Sequence, residues 1–325
     1  MTLWIGRRIG VGIANEASRG VGVAPSYWVN ATSFSFTDVP ERALSEAGFG
    51  GIWGGDQAPN TLIHGEGEIE FELDDQSLGA ILKSVFGTVN SAIIDTSGYK
   101  HTYTLQNDNQ HDSITITTTD PIGNLQFELG MIDTFEVTFE PNSIVIARAT
   151  FMSKGSQETG AHTATYGSTK KWIGRHLTFK LASDTSGLDT ASGIDLKSLT
   201  LRFEKNAEVQ SVLSTVQPID IVNKRFNVTG ELTLNYEDRT WLNYVKNGDY
   251  KALRVDLIHD DLAGSATAYY QFRVDLSKVA FDQFDPDFAF DDVVTQSLNF
   301  TALYDAGGND NVVNDCYLIN QIASY

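Results

Sequence analysis

The chain has 325 residues, with 23 Lys or Arg against 42 Asp or Glu, and a formal charge of −19 at neutral pH. This acidic excess excludes a protein that binds nucleic acid tightly through a basic surface, because phosphate contacts are made by Lys and Arg. The single cysteine, Cys316, excludes an internal disulfide framework and a zinc-cluster motif.

Length and composition favour about two domains rich in β-structure. Thr, Val, Phe and Tyr recur throughout, which is typical of sheet proteins, and there are 28 Gly but only 7 Pro. No apolar run approaches the roughly 18 residues of a membrane helix, and the first residues lack the apolar stretch of a signal peptide. We therefore expect a soluble protein that is intracellular at synthesis.

A long connection over 37–64 is the first unusual feature in chain order. Aromatic and aliphatic residues stand among glycines at its centre, in the run Phe49, Gly50, Gly51, Ile52, Trp53 and Gly54. Exposed apolar residues in a long loop favour a segment that orders against a partner, the alternative being a plain flexible loop.

A strand and a helix follow this connection. Over 66–73, glutamates alternate with apolar residues, which predicts a half-buried strand. Asp75 is then placed to cap a helix, whose apolar stripe runs from Leu78 to Phe86 and whose end is predicted at Gly87. The segments 102–105, 113–118, 135–139 and 144–151 are predicted to be strands because they are β-branched or aromatic.

The second half repeats this plan. Residues 232–236 alternate, Asp238 is placed to cap a helix carrying Trp241, and Gly248 is placed to end it. Further strands are predicted over 253–258, 269–274 and 298–303.

Three collinear matches indicate that the chain is a duplication. Residues 4–7 (Trp-Ile-Gly-Arg) recur identically at 172–175, residues 33–36 resemble 198–201, and residues 67–75 resemble 230–238. We therefore predict a first domain over 1–152, a polar linker over 153–171 and a second domain over 172–325, each a β-sandwich or barrel with one flanking helix.

Charge is unevenly distributed between the repeat starts and the rest of the chain. Basic residues concentrate near the starts, among them Arg7, Arg8, Lys171 and Arg175, while long segments elsewhere carry only acids. This separation favours head-to-tail contact between copies, in which these four residues meet an acidic surface. A generally acidic, solvated surface is the alternative.

The sequence offers little reaction chemistry. The six histidines fall in no metal-binding spacing, and no nucleophile elbow or P-loop is present. Adjacent acids such as Asp74 and Asp75 do not face each other across a cleft as a glycosidase pair would. We therefore predict no enzyme activity, no catalytic or metal-ligating residue and no cofactor.

The segment from Gly10 to Trp28 contains the pattern G-I-A-x-E-x-x-x-G-x-x-x-A-P over residues 12–25. This opening resembles the tail tube proteins of long-tailed bacteriophages, as do the strand at 32–36, the acidic loop at 41–50 and the strand-helix unit at 67–87. The resemblance implies a structural virion protein whose single-copy relatives form hexameric rings stacked into a hollow tube. For a duplicated chain it implies three chains in a pseudo-hexameric ring.

The resemblance also implies partners and a location. The chain would contact other copies of itself, tail terminator or neck proteins and tail-tip proteins, with the tape-measure protein and double-stranded DNA in the lumen without tight binding. It would reside in the virion tail after assembly in the host cytoplasm, with no membrane contact. The candidate lumen-facing residues are Glu68, Glu70, Glu72 and Glu231, with the tube exterior as the alternative position. The candidate ring-stacking loop is the run from Phe49 to Gly54.

Other readings remain at this point. One is another tube, neck or baseplate protein of the same fold in an injection system. A carbohydrate-binding β-sandwich would need an aromatic platform, and Trp28, Trp53 and Trp241 show no such arrangement in sequence. An outer-membrane porin would need a signal peptide and lipid-facing strands along the chain.

Overall fold

A computed structural model describes residues 3–265, 267–307 and 311–325. The protein is mainly β, as the sequence predicts, with two α-helices in the described ranges. The elements of the first half, in chain order, are β1 (Gly10–Asn15), β2 (Tyr27–Val29), β3 (Ala31–Arg42), β4 (Asn60–Glu72), α1 (Ser77–Phe86), β5 (Gly87–Ile93), β6 (Tyr99–Leu105), β7 (Ile114–Thr119), β8 (Asn124–Phe139), β9 (Ile146–Lys154) and β10 (Gln157–Thr159).

The second half follows residues 160–176, whose one regular element is a 3-10 turn at Gly174–His176. Its elements are β11 (Leu177–Ala182), β12 (Ser198–Glu204), β13 (Glu208–Gln210), β14 (Asp220–Val222), β15 (Asn227–Asn235), α2 (Thr240–Asn247), β16 (Tyr250–Leu262), β17 (Tyr269–Asp287), β18 (Thr295–Leu303) and β19 (Val313–Asn320).

The two halves share one order of antiparallel strand pairing. In the first half β3 pairs with β4, β4 with β9, β9 with β8, β8 with β7 and β7 with β1. In the second half β12 pairs with β15, β15 with β18, β18 with β17, β17 with β16 and β16 with β11. Residues matched in the sequence repeat lie at corresponding points, since Phe36 is opposite Gly67 and Leu201 is opposite Gly230.

Gly67 and Gly230 hold that shared position for a steric reason. A Cβ atom on Gly67 would overlap the ring of Phe36, and a Cβ atom on Gly230 would overlap the ring of Phe300. Glycine therefore lets an aromatic ring lie against the neighbouring backbone at the same point of both halves.

Both helices end where the sequence predicts, but one cap is different. Gly87 and Gly248 adopt the left-handed conformation that glycine tolerates, with φ of 89° and 67°. The predicted cap Asp75 is wrong, because the Asp74 carboxylate accepts the amides of Gln76 and Ser77 at 2.9 and 2.8 Å. Asp75 instead accepts the backbone amide of Lys170 at 2.6 Å. Burial of Asp75 raises its pKa to about 6.

Two connections differ from their predicted extents. The predicted loop 37–64 is shorter, because β3 and β4 extend toward each other and leave 43–59 as the connection. The predicted linker 153–171 is packed on the first half, since β9 includes 153 and 154 and β10 pairs with β8. Lys171 then forms a β-bridge with Asp74 at the end of this segment.

The halves are joined by a continuous sheet and one apolar core. β12 of the second half pairs with β8 of the first, and β19 pairs with β6. Buried apolar side chains of both halves belong to a single cluster. At this junction the buried Lys205 Nζ donates to the carbonyl of Ser84 in α1 at 2.6 Å.

Lys205 should make stability depend on pH. Burial lowers the pKa of its ammonium from 10.5 to about 7, so between these pH values the unfolded chain binds a proton that the folded chain releases. Stability should rise with pH in this interval, by roughly 4 to 5 kcal/mol from this group. We expect denaturant unfolding from pH 7 to 10 to show this rise in wild type and not in Lys205→Met. Lys224→Met, at an exposed lysine, is the control; equal slopes in all three proteins would contradict the prediction.

Candidate functional site

Eight strands form one continuous antiparallel arrangement across both halves. Their order is β3, β4, β9, β8, β12, β15, β18 and β17, read from neighbouring pairs. We call the side of this arrangement that carries Glu70 the polar face. One row of laterally paired residues crosses it from β4 to β18, namely Glu70, Arg148, Glu136, Arg202, Thr229 and Thr301.

The glutamates predicted as wall residues lie on this polar face. Glu68, Glu70 and Glu72 are partly exposed, while the alternating residues 69, 71 and 73 are buried on the other side. Glu231 is exposed and lies between Thr200 and Asn299 on neighbouring strands. The structure thus brings all four glutamates to one side of the same sheet.

The polar face is acidic because its two arginines already have acidic partners. Arg148 donates to Glu68 at 2.6 Å, and this hydrogen bond raises the pKa of the guanidinium. Arg202 nitrogens lie 3.7 Å from a Glu136 oxygen and 2.9 Å from a Glu204 oxygen. Among the described residues Glu231 forms no ion pair, and Glu70 forms none although it lies opposite Arg148 and helps to raise the pKa of that guanidinium. The glutamates of this face therefore outnumber its arginines.

Both ends of the eight-strand arrangement are open edges. Among the residues that the structure describes, β3 pairs with β4 on one side only, and β17 pairs with β16 no further than Ala280, so that 281–287 pairs with β18 alone. At the internal junction the corresponding edges are occupied, because β12 pairs with β8 over six residues from Leu199 to Glu204. An unpaired strand edge presents free amide and carbonyl groups to another strand.

Burial differs between the internal junction and the open edges. Phe139, in β8, is 2% exposed, whereas Phe288, at the corresponding point after β17, is 62% exposed. Leu199 and Leu201 in β12 are fully buried, whereas Phe34 and Phe36 in β3 are only partly buried. Apolar side chains that are covered inside the chain therefore remain uncovered at its two ends.

The predicted loop residues project from the hairpin of β3 and β4. Backbone hydrogen bonds continue the hairpin beyond Arg42, from Ala43 to Pro59 at 3.1 Å and from Ser45 to Gln57 at 2.9 Å. At the tip Phe49, Ile52 and Trp53 are exposed, and the glycines beside them, Gly50, Gly51 and Gly54, are exposed too.

The corresponding connection of the second half is anchored. Residues 205–226 contain β13 and β14, and Ile221 is buried against Leu129 and Met131 of the first half. An ion pair between Arg19 and Asp220 fixes the same segment. The more apolar sequence of this connection thus has a partner within the chain.

The four predicted basic contact residues fall into two groups. Lys171 pairs with Glu72, and Arg175 pairs with Asp260, so both have acidic partners in the same chain. Arg7 and Arg8 lie exposed on a 3-10 turn at Gly6–Arg8, and within the described part of the chain neither forms an ion pair.

Comparison with known families decides the class of protein. A family model described as phage tail tube protein matches residues 6–302, nearly the whole chain. The chain belongs to the phage tail tube protein family. No curated protein sequence gives a match to it.

Membership gives this tail tube protein a structural role as a virion component, in agreement with the sequence prediction. Its described residues contain no group of His, Cys, Asp and Glu side chains that could hold a metal ion. None of the described helices is long and apolar enough to cross a membrane.

Sequence reasoning about this tail tube protein missed its open edges. The stretch after 274 continues as a strand to Asp287, and Pro286 lies within it. Proline in a strand is typical of edges because it has no amide hydrogen to donate. Pro40 in β3 carries the same signal, so both edges could have been found from the sequence.

Proposed function

We propose that three copies of this chain close head-to-tail into a pseudo-hexameric ring, and that such rings stack into the hollow phage tail tube through which double-stranded DNA passes. In this proposal residues 1–152 and 172–325 are two tandem copies of one unit, joined by 153–171. The shared order of strand pairing and the shared register in the two halves support it.

The internal junction between β8 and β12 is the observation that carries the proposal. This junction is a contact between two consecutive units. Each chain also has one unpaired edge corresponding to each of the two strands that meet there: the edge of β3 corresponds to that of β12, and the edge of 281–287 corresponds to that of β8. Pairing β3 of one chain with 281–287 of the next repeats the internal contact, with Phe36 facing Pro286 as Leu201 faces Val137. A head-to-tail contact that closes by rotation leaves no free edge.

The polar face would then line the channel. Helices and other strands pack on the apolar side of the eight-strand arrangement, since α1 contacts β1 and β8 and α2 contacts β17. A closed ring with those elements outside turns Glu68, Glu70, Glu72 and Glu231 toward the axis. An acidic wall repels phosphate and gives no counterion-release binding, so DNA is confined without being held.

If this chain forms the tail tube, the tube would also contact other proteins of the tail. The tube ends would contact tail terminator or neck proteins and tail-tip proteins, and the lumen would hold the tape-measure protein before DNA. Assembly would take place in the host cytoplasm before incorporation into the virion.

Negative-stain microscopy of the purified protein tests this function directly. We expect tubes or short stacks with an axial hole, and mass measurement of dissociated rings should give three chains. A protein that stays monomeric at high concentration, even with tail-tip components, would refute the tube. Rings of six chains would refute the stoichiometry alone.

The exposed loop should mediate stacking of rings. Replacing 49–55 by a short Gly-Ser turn should leave the subunit folded, because the removed side chains are exposed, and should give single rings without tubes. Microscopy and sedimentation measure this outcome. Tubes of normal length would disprove a stacking role, and monomers without rings would instead assign the loop to contacts within a ring. The control is a Gly-Ser replacement of the three-residue turn at 121–123, whose central side chain, Ile122, is exposed.

A further inference from the structure

The two identical Trp-Ile-Gly-Arg segments have opposite environments. Trp172 is 0% exposed, whereas Trp4 is 48% exposed. The neighbours Leu3 and Ile5 are also exposed, so the first segment presents three apolar side chains to solvent. One sequence is thus buried in one copy and uncovered in the other.

The buried copy is held as an added strand on the first half. The Trp172 amide donates to the Leu73 carbonyl at 3.4 Å, and the Val145 amide donates to the Trp172 carbonyl at 2.9 Å. The Gly174 amide donates to the Ser143 carbonyl at 3.0 Å, and Ile173 forms a β-bridge with Ile144. The start of the second half is therefore seated in a slot between the end of β4 and the start of β9.

The second half has the same slot. There the Tyr236 amide donates to the Val294 carbonyl at 3.0 Å, as the Leu73 amide donates to the Val145 carbonyl at 2.9 Å. Within the residues that the structure describes, the Val294 amide and the Tyr236 carbonyl have no hydrogen-bond partner. Val293, which corresponds to Ile144, is exposed beside them.

The uncovered segment already has the conformation of the buried one. Both segments lead into a 3-10 turn, at Gly6–Arg8 and at Gly174–His176. The Arg8 amide donates to the Ile5 carbonyl at 3.1 Å, and the His176 amide donates to the Ile173 carbonyl at 2.9 Å. Little ordering is therefore needed for residues 3–8 to enter a matching slot.

We infer that residues 3–8 of each chain fill the slot between β15 and β18 of the neighbouring chain, with Trp4 inserted as Trp172 is inserted within the chain. The occupant is a second copy of this chain, and the inference rests on the head-to-tail ring proposed above. This contact adds side-chain burial at a junction where two edge prolines, Pro40 and Pro286, reduce the number of strand hydrogen bonds.

Engineered cysteines test the register of this contact. Ile173 and Ile144 are directly opposed in an antiparallel bridge, a geometry with Cα atoms about 4.5 to 5.5 Å apart, within the range of a disulfide. The corresponding pair between chains is Ile5 and Val293. Because both side chains are exposed, Ile5→Cys and Val293→Cys should not disturb folding, and Cys316 is buried away from oxidant.

Under oxidising assembly conditions, the Ile5→Cys/Val293→Cys protein should give disulfide-linked dimers and trimers on a non-reducing gel, with no larger species. Ile144→Cys/Ile173→Cys should give a crosslink within one chain, and each single variant should give no disulfide ladder. Assembled tubes without crosslinks in the Ile5/Val293 protein would overturn the slot while leaving the tube intact. Absence of both assembly and crosslinks would overturn both proposals. Crosslinked trimers without tubes would support the slot and the three-chain ring and would refute the stacking of rings into a tube.

Removal of the inserted ring gives an independent readout. Trp4→Ala should raise the protein concentration needed for ring formation at least tenfold while leaving the unfolding midpoint unchanged. Ile122→Ala removes another exposed apolar side chain, in the turn between β7 and β8, and should not change assembly. Unaltered ring formation by Trp4→Ala would contradict insertion of this residue.

Discussion

Replacing Phe288 by Asp should abolish ring formation while leaving the single chain folded. In the free chain this side chain is 62% exposed and meets the ring of Tyr236 edge-on, so the substitution removes only this surface contact. At the proposed junction it would be covered as Phe139 is covered within the chain. Burying a phenylalanine contributes about 2 kcal/mol, and a buried unpaired carboxylate costs more, so each of three contacts in the ring should be weakened at least a hundredfold.

Sedimentation velocity of Phe288→Asp should show only monomer at concentrations where wild type forms rings, with an unchanged unfolding midpoint. Phe290→Asp is the matched control, because Phe290 is fully exposed and its counterpart Pro141 stays exposed beside the internal junction. It should assemble normally. Normal rings from Phe288→Asp would show that the edge of β17 is not the contact surface.

Local patterns in the sequence predict local features of this fold. Alternation over 66–73 predicts the buried and exposed sides of β4 because one side packs on the core. Gly87 and Gly248 predict helix ends because their left-handed conformation is costly for other residues. Such signals are local, and the structure confirms them.

Features that depend on distant partners were not predictable in the same way. Asp74 and Asp75 are adjacent acids, and only the packing of Lys170 against Asp75 leaves Asp74 to cap α1. Phe139 and Phe288 are the same residue type in corresponding positions, yet one is covered by β12 and the other is not. Hydrophobic periodicity does not report which edges stay open, because that depends on which strands meet. The local signal for the open edges is the proline in each of them, Pro40 and Pro286.

Among the candidate residues, the glutamates chosen by alternation are the ones that the structure brings to one face. Glu68, Glu70 and Glu72 share the polar face because a strand repeats every two residues. Lys171 and Arg175 were chosen by charge alone, and both have partners within the chain that sequence separation hides, Glu72 and Asp260. Contacts between chains through Lys171, Arg175, Arg7 and Arg8 stay a prediction.

Reversing charge on the polar face should convert a passive channel into one that retains DNA. Glu70→Lys/Glu231→Lys changes one partly exposed and one exposed side chain, neither of which forms an ion pair among the described residues, so the chain should still fold and close into rings. Each ring would then present new phosphate contacts, and neighbouring rings would repeat them along the tube. Binding of DNA through such contacts should fall steeply with salt, because each neutralised phosphate releases counterions.

Tubes assembled with short duplex DNA and then sedimented measure this directly. We expect wild-type tubes to carry no DNA and the double variant to carry DNA at low salt and release it as salt increases. Glu158→Lys/Asp195→Lys makes the same change of net charge at exposed positions outside the eight-strand arrangement and away from the slot and should behave as wild type. Equal retention by both double variants would mean that net charge alone governs binding, and no retention by Glu70→Lys/Glu231→Lys would place the polar face outside the channel. Because both variants have the same total charge, only the orientation of the sheet relative to the axis can separate them.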